Sequence, residues 1–317
     1  MGTVIGIDLG GTNIQGARVD GKGEIVAVNE IKAEVSEGGD ATMARIIEVA
    51  KALVDDTVAA IGVCSPGIID PENGVSMSEA VNIPGWDGMP IKARIEEATS
   101  LPAFVDNDAN AAAAAEAWIG AGRGEAVVLM LTLGTGIGGG AVVDGEVYHG
   151  KSNRVAEFGH ISICHDGKKC GCGNTGCLEI YASANALAMR AREELHESPG
   201  GLMLGMAGGD IESVDCKVVC DAAREGDELA ARVLDEICAY LACGVGSLIN
   251  AWNPSVVVMT GGMSLGGDVI FGRVQAELEA GRAYPPILAD CRVVPGVLGN
   301  KAGMLGAAKV AWSGLGR

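Results

Sequence analysis

Positive charge is scarce in this chain: 23 Lys and Arg stand against 41 Asp and Glu, for a net charge of −18 and a pI near 4.6. A surface that neutralises a nucleic-acid backbone needs the opposite balance, so DNA or RNA is not expected as a partner. A small anion held by backbone N–H groups stays allowed. Aromatic residues are also few, at 3%. No signal-peptide pattern precedes the first apolar run at Val4, and no uninterrupted apolar stretch approaches bilayer-spanning length, so a cytoplasmic protein without a membrane partner is expected. What remains is 317 residues with 48% hydrophobic content, enough to bury a large core and to form two domains of ordinary size.

The ten cysteines do not read as a disulfide framework. Three crowd into eight residues, Cys170, Cys172 and Cys177, which suits metal ligation in a reducing compartment. Cys64, Cys164, Cys216, Cys220, Cys238, Cys243 and Cys291 lie in apolar contexts and are expected to be buried thiols.

Glycine, by contrast, is abundant at 49 residues, and its placement is patterned. Residues 7–21, IDLGGTNIQGARVDG, align without gaps on residues 131–145, LTLGTGIGGGAVVDG, sharing Leu, Gly, Gly, Ala, Val, Asp and Gly. Each copy reads as strand, Gly/Thr turn, strand and Asp-Gly turn, so the chain looks built from two similar halves. Around the first copy, residues 4–8, 13–19 and 25–29 read as a strand meander, 41–54 as an amphipathic helix and 59–64 as a buried strand. Residues 101–107 read as a strand, 110–119 as an Ala-rich helix, 227–250 as a long apolar helix, 255–260 as a buried strand and 303–312 as a terminal helix. Hairpins mixed with crossover helices imply α/β domains with mixed sheets. The stretch 198–215, rich in Gly and Met, reads as a mobile loop without an assigned role.

Four constellations carry chemistry. Asp8-Leu9-Gly10-Gly11-Thr12-Asn13 is a strand ending in an acid before a glycine turn, able to point N–H groups at phosphate, with Asp8 placed to hold Mg²⁺ through water; a plain hairpin turn with a capping Asp fits the same residues. Gly134-Thr135-Gly136 repeats that turn, and the two are expected to grip one polyphosphate, while Gly261-Gly262 offers a surface for the adenosine end of a nucleotide. No Gly-Lys-Ser/Thr follows either turn, so neither is a P-loop. Asp106-Asn107-Asp108-Ala109-Asn110 joins a strand end to a helix start, where ligands bind in α/β sheets, although one of these residues can simply be a helix cap. Finally, His160 followed by Cys170, Cys172 and Cys177 is a tetrahedral zinc set whose four protein ligands leave no position for water, so its expected role is structural. Glu157 and Glu179 flank that loop and suit sugar hydroxyls.

The ordered set, from Asp8-Leu9-Gly10-Gly11-Thr12 through Leu131–Gly139 and Glu157-Phe158-Gly159-His160 to Cys170–Glu179, resembles the ROK family (repressors, open reading frames, kinases), in particular its bacterial glucokinases. The resemblance covers essentially the whole chain. It implies a two-domain, actin-like ATPase (ribonuclease H-like) fold with a cleft between domains, residues 1–111 plus 303–317 forming a small domain and 112–302 a large one with the zinc loop. It implies Asp108 as catalytic base; Asn107, Glu157, His160 and Glu179 as sugar ligands with Gly67 and Asn82 opposite; and His160 shared between zinc and sugar. The implied reaction is ATP-dependent phosphorylation of a hexose 6-hydroxyl, glucose first, with mannose, fructose, N-acetylglucosamine and N-acetylmannosamine as alternatives and a non-catalytic sugar sensor as the rival. A homodimer or homotetramer is implied. A repressor of the family would carry a helix-turn-helix before the first glycine motif, for which residues 1–3 leave no room.

Overall fold

The structure is a computed structural model that describes residues 2–78 and 83–316. The first sheet has the order Ile25–Lys32, Asn13–Asp20, Thr3–Leu9, Val58–Ser65, Ala103–Asn107. Its first two pairings are antiparallel and the next two parallel, with Ile7 opposite Val63 and Val63 opposite Val105. The meander and the crossover strands expected from sequence are both present. Thr3–Leu9 is central and buried on both faces, so its side chains divide by parity. Ile5, Ile7 and Leu9 join the core formed with Met43, Ile46 and Val49 of the helix Gly39–Leu53 and with Ile91 and Ile95 of the helix Ile91–Thr99. Val4 joins the opposite core, with Ala115 of the helix Asp108–Ile119 and with Leu305 and Ala308 of the helix Ala302–Gly314.

Glycine permits that second layer. A Cβ at Gly6 would lie 2.0 Å from the carbonyl oxygen of Met304, and one at Gly62 would lie 1.8 Å from that of Ala307. Only a strand surface without side chains at these two points lets the C-terminal helix backbone lie directly on the sheet. Glu116, fully buried, ends the neighbouring helix by accepting from the backbone N–H groups of Ala121 (2.8 Å), Val297 (2.9 Å) and Leu298 (3.0 Å).

The second five-stranded sheet has the order Glu146–Val147, Ile137–Val143, Val127–Leu133, Val256–Thr260, Arg292–Pro295, a repeat of the first sheet's pattern of hairpin partners on one side and parallel partners on the other. That repetition is what the internal sequence match predicts. Asp144 (φ 51°) and Gly145 (φ 81°) make the tight turn of its hairpin. Two compact units result: residues 1–126, 140–155 and 297–317 in one, and residues 127–139 and 156–296 in the other.

Two expectations need correction. Residues 198–215 are not simply a loop: they contain the helix Gly201–Met206, which buries Met203, and a short turn at Ile211–Ser213. Cys164, Cys216, Cys243 and Cys291 are only half-buried, whereas Cys64, Cys220 and Cys238 are buried as expected. The helix Glu228–Trp252, 25 residues long, is apolar enough to cross a bilayer by length and composition, but 61% of its most apolar window is buried in the protein, as befits a core helix.

Candidate active site

In the first unit, the strand Ala103–Asn107 runs into the helix Asp108–Ile119, and Asn107 is the residue that caps it. Its Oδ1 accepts from the N–H of Ala109 (2.9 Å) and Asn110 (3.2 Å), while its Nδ2 donates to the carbonyl of Gly67 at 2.9 Å. Gly67 has φ +89°, a conformation glycine adopts freely, so Gly67 and Asn107 are joined as one rigid corner. Asp108 is then the first residue of the helix, with Oδ1 accepting from Ala109 N at 2.8 Å. Its side chain reaches the surface yet is ringed by protein, and the loss of solvent, with the charge of Asp8 adding to it, raises its pKa to about 6. Asp8, at the end of Thr3–Leu9, is itself raised by burial, an effect opposed by the Cys64 thiol, which donates to Oδ1 at 3.2 Å. The Asp8 carboxylate occupies the space where a Cβ of Gly303 would stand, over the first turn of the terminal helix. Two desolvated acids, one of which raises the other, are a donor set that a divalent cation suits.

The turn that follows Asp8 is open: Gly11 and Thr12 are exposed, and a Cβ at Gly11 would touch nothing within 4 Å. Asn13 is tied to the sheet, donating to Glu30 at 2.6 Å and accepting from Lys32 at 3.0 Å. Asn82 lies outside the described residues.

In the second unit, Gly134 and Thr135 line one cavity of about 660 Å³ together with Gly262. The turns converge because the strands before them, Val127–Leu133 and Val256–Thr260, are parallel neighbours with Thr132 opposite Thr260. Gly261 (φ +91°) has to be glycine, since a Cβ there would meet the Leu133 backbone at 2.6 Å. The cavity also takes in Asn185, Arg192, Lys217 and Arg224, none of which was legible as a site from the sequence. Arg192 and Arg224 are anchored, Arg192 to the carbonyl of Val214 at 3.0 Å and Arg224 to that of Gly266 at 2.6 Å. A glycine-walled cavity of this size, whose cations are partly offset by Asp215 and by Asp221, the ion-pair partner of Lys217 and Arg224, suits a nucleotide.

Glu179 lies against the same turn: its Oε2 accepts from Ile137 N at 2.9 Å and fills the space beside Gly136. It follows Cys177 by two residues, so turn and cysteine loop are braced together. His160, Cys170, Cys172 and Cys177 present one donor atom each, all within 4.8 Å of one another. Cys172 and Cys177 Sγ are 3.7 Å apart and Cys170 Sγ is 3.8 Å from His160 Nδ1, close to the edge of about 3.8 Å that a tetrahedron with 2.3 Å Zn–S bonds requires. The set is compatible with a structural zinc. Nδ1 faces the cluster, leaving Nε2 of His160 directed elsewhere. Glu157, whose carbonyl accepts from His160 N at 2.9 Å, has an exposed side chain.

The ROK family model matches residues 4–313. A glucokinase of Thermotoga maritima is 36% identical over 308 residues, covering 97% of this chain and 96% of its own. Among solved structures, a ROK family glucokinase of Streptomyces griseus in complex with glucose and AMPPNP superposes with a TM-score of 0.82 at 32% identity, covering 98% of this chain and all of that one. A ROK family transcriptional regulator, a homologue of the E. coli MLC protein, superposes at 0.85 with 26% identity and is matched over 77% of its length. From its internal duplication to its cysteine loop, this chain belongs to the ROK family.

Proposed function

We propose that the chain transfers the γ-phosphoryl group of ATP to the 6-hydroxyl of a hexose, with glucose as the principal acceptor. The observation that carries this is Asp108: a carboxylate at a strand-to-helix corner whose pKa of about 6 makes it ionised at neutral pH yet basic enough to take a hydroxyl proton. Asn107, fixed by Gly67, orients the sugar beside it, and Asn82 is assigned to the same pocket. Glu157, Glu179 and Nε2 of His160 receive further hydroxyls. Phosphoryl transfer is governed by positioning and charge, which suits glycine turns at Gly10, Gly11 and Thr12 and at Gly134, Thr135 and Gly136 as phosphate cradles, with Asn13 framing the first. Gly261 and Gly262 take the adenosine end. Mg²⁺, when bound, neutralises phosphate charge, and Asp8 is the residue assigned to hold it. Zinc on His160, Cys170, Cys172 and Cys177 keeps the sugar-facing histidine in one orientation. A cytoplasmic homo-oligomer, dimer or tetramer, acting in sugar catabolism is the setting we assign. The regulator relative gives the sensor alternative its standing, but the corner built by Gly67, Asn107 and Asp108 favours catalysis. A coupled assay over glucose, mannose, fructose, N-acetylglucosamine and N-acetylmannosamine, with ATP and with polyphosphate as donors, decides it: turnover of glucose with ATP is expected, and sugar binding without turnover of any acceptor overturns the kinase assignment.

A further inference from the structure

His149 has no part in the function above, yet it stands behind the catalytic corner. Its Nε2 lies 2.7 Å from Oδ2 of Asp106. Asp106 is only 3% exposed. Its other oxygen, Oδ1, accepts from Asn107 N at 2.7 Å and from Asn110 Nδ2 at 3.1 Å. One buried carboxylate therefore gathers three donors: the peptide leading into the cap, a side chain of the helix's first turn, and the imidazole. A buried carboxylate is tolerated only when its oxygens are satisfied in this way, and removing one donor leaves the others attached to an unstable centre. The pair walls a cavity of about 260 Å³ whose other charged groups are Glu146 and Lys309, 3.1 Å apart. The groups facing His149 are thus Asp106 from the strand Ala103–Asn107, Glu146 from the hairpin and Lys309 from the terminal helix.

We propose that His149 is a positioning residue, holding Asp106 so that Asn107 and Asp108 keep the backbone orientation the transfer reaction uses. The inference rests on Asp108 being the base. Its hydrogen bond to Asp106 raises the imidazole pKa, with burial opposing, so the charged form persists above its ordinary range. The support it lends is complete at pH below the unperturbed value and is lost as pH rises through the raised one.

The test compares full-length wild type with His149→Ala, His149→Gln and Asp106→Asn. Gln keeps an N–H donor at the reach of Nε2 but cannot titrate. In His149→Ala, kcat is expected to fall about tenfold with the KM for ATP unchanged, and in His149→Gln to return to within about threefold of wild type while the alkaline limb of its pH profile disappears. The four histidines make imidazole NMR titration tractable, with the signal absent in His149→Gln assigned to His149. That signal should titrate above the ordinary histidine range in wild type and move down in Asp106→Asn. A kcat for His149→Ala within about twofold of wild type, or an unchanged alkaline limb in His149→Gln, overturns the proposal. Asp108→Asn separates the two assignments: normal turnover there removes the base itself, whereas loss there with an indifferent His149→Ala removes only the positioning role.

Discussion

Replacing Asp108 by Asn should make this protein more stable and nearly inactive at once. Burial raises the carboxyl from 3.8 when free to about 6 in the fold, a difference worth on the order of 3 kcal/mol. The folded state holds its proton more tightly than the unfolded chain. Stability contributed by this group is therefore highest below pH 3.8 and falls as pH rises through about 6. At neutral pH the ionised carboxylate costs the fold up to that amount. Asn carries no charge to desolvate and keeps an oxygen for Ala109 N–H. A gain of roughly 1–3 kcal/mol at pH 8, shrinking to nothing near pH 4, should appear as a Tm raised by a few degrees. Over the same pH range kcat should drop by about 10²–10⁴ with little change in the KM for glucose. Wild-type kcat/KM should decline on the acid side around pH 6. Thermal scans at several pH values alongside a coupled assay read both effects. A variant that turns over within about tenfold of wild type, or that keeps the acid limb, refutes the assignment. A variant less stable at pH 8 refutes the desolvation argument on its own.

On the proposed zinc site, a chelator, or Cys172→Ser, should raise the KM for glucose about tenfold or more because His160 would lose the partner that orients it; a metal assay paired with kinetics checks this, and a protein without zinc whose KM is unchanged speaks against it. Glu116→Ala strips the acceptor from three backbone N–H groups, those of Ala121, Val297 and Leu298, and should cost about 1–3 kcal/mol in urea unfolding. Gly62→Ala pushes a Cβ onto the carbonyl of Ala307 and should cost about 1–3 kcal/mol, visible as a lower Tm with no change in the KM for ATP.

The fold was legible wherever a pattern repeats. The duplicated strand, turn, strand and Asp-Gly motif predicted two sheets of one topology, and the long helices were placed within a few residues. Elements went unread where local signals were thin. The helix Cys216–Arg224 has only nine residues and buries only Val219, Cys220 and Ala222; its strongly one-sided apolar spacing and its cap, Asp215, accepting from Val218 N, were the clues that so short a run offered. The strand Arg292–Pro295 has only four residues, exposed at both ends and half-buried at Val293 and Val294, too few for alternation to register. At the site, clustered ligands such as the cysteine loop could be seen in sequence because they are local. Whether Asn107 or Asp108 caps the helix depends on backbone angles, and only the structure separates a capping Asn from an adjacent acid. Arg192 and Arg224 were invisible because the cavity they share draws on distant segments.

The bare glycine surface at Gly6 and Gly62 bears on how the chain is made. Its cover, Ala302–Gly314, is synthesised after the strands of both sheets, so a nascent chain on the ribosome carries a sheet with one face waiting for residues not yet translated. The inserted unit, residues 156–296 with 127–139, is complete first. The first strands thus keep one face uncovered until residues 302–314 have been made, and a chain truncated before residue 302 leaves them without that partner.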